Sequence, residues 1–168
     1  MKIPLHYYAI VILLLIINIG CDVVTKDIQQ SDIQILADNL KLNLKFLEVR
    51  EGDDCLANKL LEKCYIFQLS LTMPIAFDKP GWEIYFSQKN LIMKAESRYF
   101  TIEKITGELH RLYTKEQFKG FEPETTIQII LITKAVQLKD ALLQPNFYVM
   151  SEGLKATVIK SSLKTSLK

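Results

Sequence analysis

The chain has 168 residues, 49% of them hydrophobic and 24% charged, a globular balance rather than a disordered one. That length suits one domain of ordinary size. A formal net charge of +2 leaves too few uncompensated Lys and Arg to meet a run of phosphates, which excludes a dedicated nucleic-acid partner.

Residues 7–19 form one apolar run, preceded by Lys2 and closed by Gly20-Cys21. A basic start, a short apolar core and a small residue before the cut describe a secretory signal over residues 1–20. The run is too short to cross roughly 30 Å of hydrocarbon comfortably. Ile19-Gly20-Cys21 is similar to the end of a bacterial lipobox, although Asn18 stands where Leu is usual. That resemblance implies a diacylglycerol on Cys21 and an exported, membrane-anchored envelope protein; simple cleavage and an uncleaved anchor are the rival readings. Residues 21–34 are polar and unpatterned, and they read as a tether between membrane and domain.

With Cys21 set aside, Cys55 and Cys64 remain. Export implies an oxidising compartment, where such a proximal pair is expected to form a structural disulfide. Metal binding is the rival, but His6 lies in the signal and His110 is alone, so ligands are lacking. No cofactor is expected.

From residue 35 to 160 the pattern has period two. In residues 40–46 the even positions are apolar, and in 65–73 the odd ones are. Trp82, Ile84 and Phe86 alternate with Glu83, Tyr85 and Ser87. Further short runs follow at 98–105, 107–113, 125–132, 146–150 and 156–160. Turn signals separate them, among them Lys79-Pro80-Gly81, Thr106-Gly107 and Gln144-Pro145-Asn146. Short alternating strands at this spacing predict an all-β antiparallel sandwich. A helix is conceivable at 134–143, and a helical turn at 55–63. Residues 161–168 read as a basic tail: a solvated one, or one attracted to an anionic membrane surface.

Pro80-Gly-Trp-Glu-Ile-Tyr-Phe-Ser87 resembles a segment of the N-terminal domain of bacterial chitobiases and β-N-acetylhexosaminidases of glycoside hydrolase family 20. The likeness continues through Gly107-Glu-Leu-His-Arg-Leu112, Phe118-Lys-Gly-Phe121 and Gln144-Pro-Asn-Phe-Tyr-Val149, and the two Cys before the second strand fit the same layout. It implies a β-sandwich similar to cellulose-binding modules, with a role in binding carbohydrate, namely chitin or another N-acetylglucosamine glycan. Phe147 and the segment Val136-Gln-Leu stand where the family commonly has Trp, so either the core is repacked or a sugar platform is weakened. In the family enzymes this domain precedes a small α+β domain and a (β/α)₈ barrel that carries the catalytic Asp-Glu pair. A barrel needs about 250 residues. No matched position here is catalytic, so the expectation is a non-catalytic module. The alternatives are a truncated or split enzyme fragment that works with a separate catalytic chain, and an interaction lipoprotein that binds no sugar.

The candidate sugar-binding residues are Trp82, Tyr85 and Tyr148, with Tyr99 and Tyr113 as further aromatic surface. Trp82 is in phase with Ile84 and Phe86, so a core aromatic is the competing reading. Tyr85 points to the opposite face and is the better platform. His110 has no readable nucleophile or carboxylate partner and reads as structural.

Overall fold

The computed structural model describes residues 27–52, 55, 63–134 and 145–162. Among the described residues one helix, α1 (Gln30–Asn39), precedes nine strands: β1 (Lys41–Glu51), β2 (Lys63–Met73), β3 (Trp82–Ser87), β4 (Ile92–Glu96), β5 (Phe100–Thr106), β6 (Leu109–Thr114), β7 (Thr125–Lys134), β8 (Phe147–Ser151) and β9 (Thr157–Val158). A short 3₁₀ turn at Lys160–Ser162 follows. The strands form two antiparallel sheets, β1-β2-β7-β4 and β5-β6-β3-β8-β9. The chain is therefore an all-β antiparallel sandwich among its described residues.

Alternation decides what each sheet buries. Leu42, Phe67, Leu69, Leu71, Met73, Ile129 and Leu131 point inward from one sheet. Trp82, Ile84, Phe86, Phe100, Leu112, Phe147 and Val149 meet them from the other. The intervening residues of the same strands are wet or half-wet, as a two-sheet core requires. Each large side chain fully buried this way contributes about 1.5–3 kcal/mol of transfer free energy.

Helix α1 occupies residues 30–34, which the sequence reading gave to the tether. Ile33, Leu36, Ala37 and Leu40 recur at helical spacing and are all buried. The Gln29 amide donates to Asp32 Oδ2 at 2.9 Å, and that carboxylate suits a helix N-terminus. A ten-residue helix is marginal alone, so docking holds it. Gln30 and Lys155 exchange hydrogen bonds of 3.2 and 2.8 Å, and Asp38 meets Lys160 at 2.9 Å. The start of the expected basic tail is also docked. The Ser162 hydroxyl, 2% exposed, accepts from the Phe147 amide and donates to the Ile159 carbonyl.

β4 is a strand the period-two reading did not find. Its register shifts between Ile92 and Lys94, which interrupts the alternation. The expected helix at 134–143 falls on residues outside those described, except that Lys134 ends β7. The expected helical turn at 55–63 is likewise outside them apart from Cys55 and Lys63, and Lys63 begins β2.

Cys55 and Cys64 form a disulfide with Cα atoms 5.6 Å apart. The cystine packs with Ile66 and Ile132, and beside Met93 and Ile130, in a second apolar cluster. Because Phe67, Leu69 and Leu71 point inward, Cys64 and Ile66 lie on the opposite, outer face of β2. At one end of the sandwich, Phe77 and Phe121 exchange backbone hydrogen bonds of 2.9 and 2.8 Å. Gly120 sits in that bridge at φ 121°, where an added Cβ would lie 2.8 Å from the Phe77 carbonyl oxygen. Only glycine tolerates both the angle and the contact.

Candidate functional site

The outer face of the five-stranded sheet brings two of the three candidate platform residues together. Tyr85 of β3 is directly opposite Tyr148 of β8. On the other side of β3, Tyr85 is opposite Arg111 of β6, which is opposite Glu103 of β5. A single row therefore runs Glu103, Arg111, Tyr85, Tyr148 across four strands. Directly paired cross-strand residues have Cβ atoms about 4.5–5.5 Å apart, so the two tyrosines are neighbours. Tyr148 is 44% exposed, and Tyr85 is half-buried. Tyr113 of β6, opposite Glu83, lies on the same face one step along the strands.

The polar part of the face is linked by hydrogen bonds, although Arg111 Nε is buried without a partner among the described residues. The Tyr85 hydroxyl donates to Glu83 Oε2 at 2.7 Å. Arg111 Nη1 donates to Glu83 Oε1 at 3.0 Å, and Nη2 donates to Glu103. The guanidinium also lies over the Tyr113 ring, 4.9 Å from its centroid. Desolvation, and then the Glu83 carboxylate, raise the Tyr85 pKa, so the phenol stays protonated and remains a donor. The Glu103 carboxylate raises that of Arg111, which stays charged.

Trp82 does not belong to this face. It is 1% exposed and contacts Phe100, Phe118 and Phe121, with ring centroids 6.0, 5.9 and 5.8 Å away. A ring enclosed on all sides cannot stack on a sugar, and the core reading of Trp82 is the correct one. Phe147 is equally buried, 5.1 Å from Phe86. At that position the replacement of the family Trp is a matter of core packing rather than of platform; Val136 lies outside the described residues. Tyr99 is packed on Phe118 at the end of the core, away from the Tyr85 row. His110 is buried on the inward side, stacked on Phe86 at 5.6 Å, with Nδ1 2.8 Å from the Glu108 carbonyl. Cys21 and the signal lie outside the described residues.

Arg111, Glu83 and Glu103 were not singled out by sequence reasoning, and Tyr113 was named only as further aromatic surface. Their phase with Tyr85 was readable within each strand, but their register across strands was not. A separate open cleft of about 670 Å³ lies between the loops after β2 and β6, lined by Lys79, Thr114, Lys115, Glu116 and Phe118 among others. Two of its lysines are engaged elsewhere: Lys115 Nζ donates to the Ser97 carbonyl at 2.7 Å, and Lys79 lies 3.9 Å from Asp32. No cluster of ligating side chains suited to a metal occurs among the described residues. Nor is any described helix long and apolar enough to cross a membrane.

Residues 39–168 match the family CHB_HEX, described as "Putative carbohydrate binding domain". A beta-hexosaminidase of Vibrio vulnificus is 31% identical over 140 residues, covering 82% of this chain. An N,N'-diacetylchitobiase of Vibrio harveyi is 26% identical over 147 residues, covering 84%. The chain spans 16% of the length of each of these relatives. The crystal structure of a GH20 exo beta-N-acetylglucosaminidase from Vibrio harveyi with N-acetylglucosamine superposes over 71% of this chain and 17% of that one, at 10% identity and a TM-score of 0.47. The sandwich, the matched residues and the hexosaminidase relatives together place the chain in the CHB_HEX family of carbohydrate-binding domains related to the N-terminal region of chitobiases and β-hexosaminidases.

Proposed function

We propose that this chain binds N-acetylglucosamine glycans of the chitin type on the outer face of its five-stranded sheet, without chemistry of its own. The carrying observation is the pair Tyr85 and Tyr148, set side by side on an open face with Tyr148 44% exposed. An aromatic ring offers a pyranose a flat apolar surface, and the adjoining carboxylates and phenol offer partners for its hydroxyls. The relatives named above act on N-acetylhexosamine substrates by their names, which supports this choice of sugar. The protein would work as an exported envelope lipoprotein held by an acylated Cys21. A second reading is favoured by the chain's short span of its relatives: the domain is one piece of a larger β-N-acetylhexosaminidase, supplied on the same or a separate chain.

The first test titrates the protein with N-acetylglucosamine oligomers while following backbone amide shifts. Saturable shifts clustered around Tyr85 and Tyr148 are expected, and their absence at millimolar ligand would overturn the reading. Cys21→Ser should release the protein from membranes, whereas unchanged retention would refute acylation as the anchor. Coding sequence for a barrel beyond Lys168 would favour the enzyme-piece reading.

A further inference from the structure

The proposed glycan face has a polar half whose charge is fixed by geometry. Arg111 stands between two carboxylates, bonded to Glu83 on one side and to Glu103 on the other. One positive charge against two negative ones leaves that part of the face net negative, in a chain whose overall charge is +2. The group is also rigid. Two carboxylates and the Tyr113 ring hold the guanidinium, and Glu83 passes the constraint to Tyr85 by accepting a hydrogen bond from its hydroxyl. Arg111 therefore acts on the platform through Glu83, as a positioning residue for the Tyr85 ring. A side chain fixed before the ligand arrives costs less entropy on binding.

The side chains of Glu83, Glu103 and Arg111 are between 29 and 38% exposed, so the array reaches the surface while its bonds are shielded in part. Carboxylate oxygens accept hydrogen bonds from sugar hydroxyls. A glycan carrying its own carboxylates would meet like charge here, where the one guanidinium of the row is already shared between two carboxylates. Resting on the reading of Tyr85 and Tyr148 as a sugar platform, we propose that the Glu83–Arg111–Glu103 array is its selectivity element, admitting uncharged glycans and rejecting uronic-acid glycans.

The test uses the purified full chain at low ionic strength, where charge effects are least screened. Affinity is measured for an N-acetylglucosamine oligomer and for a uronic-acid oligomer of equal length. The wild type should bind the neutral oligomer at least tenfold more tightly. Glu83→Gln with Glu103→Gln leaves Arg111 uncompensated, and this variant should lose the preference or invert it. Arg111→Gln should weaken the neutral oligomer about tenfold, with partial rescue by Arg111→Lys, while a purely structural role would change neither the preference nor its rescue. Equal wild-type affinity for the two oligomers, or an unchanged preference in the double Gln variant, would overturn the proposal. If Tyr148→Ala loses binding while the double Gln variant keeps the neutral preference, the platform stands and only the selectivity element fails. If Tyr148→Ala binds like the wild type, the platform reading itself is gone.

Discussion

The two sheets bury similar inner faces and differ on their outer ones. The four-stranded sheet presents Lys41, Asn43 and Lys45 on β1 beside Gln68, Ser70 and Thr72 on β2. On β2 these side chains find polar neighbours: Gln68 donates to Ser70 at 3.1 Å, and the Thr72 and Thr126 hydroxyls are 2.7 Å apart. Where that face turns apolar, at Cys64, Ile66 and Ile132, the cystine packs against the apolar groups and they are buried. The five-stranded sheet does the reverse and leaves Tyr148 open beside a fixed Tyr85. An isolated exposed hydrophobe needs no explanation, but one aligned in register with a second tyrosine and a bonded polar row does. On the proposed reading, the difference separates a face finished by stability from a face left open for a ligand.

Substitution along this contrast should give effects of falling size. The inward side of β3 and the outward side of β8 make the sharpest pair. Trp82→Ala should cost about 3–5 kcal/mol of stability, as expected for a large aromatic removed from a closed core. Tyr148→Ala should change stability by no more than about 0.5 kcal/mol, since the ring is 44% exposed. It should nevertheless weaken glycan binding tenfold or more, about 1.4 kcal/mol. Urea titration and oligomer binding, both run on both variants, check this. A Tyr148→Ala variant as unstable as Trp82→Ala would break the distinction between the two sides of the sheet.

The cystine offers the next largest effect, on the other sheet. Closing a loop over a sequence separation of 9 stabilises by about 2–3 kcal/mol on the chain-entropy account. Cys55→Ser with Cys64→Ser should lower the denaturation midpoint accordingly. At temperatures where the variant stays folded, its affinity for the oligomer should equal the wild type's, because the cluster lies on the sheet opposite the Tyr85 row. Lost affinity in a folded variant would mean that the two outer faces are coupled.

Much of the sandwich was legible because period two is a direct consequence of strand geometry. The placement of Trp82 inward and Tyr85 outward follows from alternation alone. Two elements were hidden for different reasons. In α1 the helical recurrence of Ile33, Leu36, Ala37 and Leu40 is diluted by Asp and Gln, so the segment read as polar. In β4 the register shift breaks the only signal available. The candidate face was legible strand by strand and no further. That Arg111, Tyr85 and Tyr148 share one row depends on which strands pair and in what register, and β6, β3 and β8 are neighbours only because the chain between them crosses to the other sheet and back.

The smallest expected effect isolates His110 on the inward side. In the unfolded chain its imidazole titrates near 6.5, and in the folded chain burial pushes it lower, only partly opposed by the Glu108 carbonyl; Lys104 lowers it further. Between those two values the unfolded state binds the extra proton, so stability rises with pH. The contribution is complete above about pH 6.5 and is lost as pH falls through the lowered folded value. One group cannot change stability by more than about 1.4 kcal/mol per pH unit. Asp38, whose carboxyl is held below 3.8 by Lys160 and Gln34, acts in a more acidic window and leaves this one clear. Urea midpoints taken between about pH 7.5 and 5 should therefore fall in the wild type, and the fall should be shallower in His110→Leu. Coincident slopes in the two proteins would assign the acid sensitivity to another group. Glycan binding by the folded protein should stay level across the same range, because the imidazole lies inside the core and the Tyr85 row lies outside it.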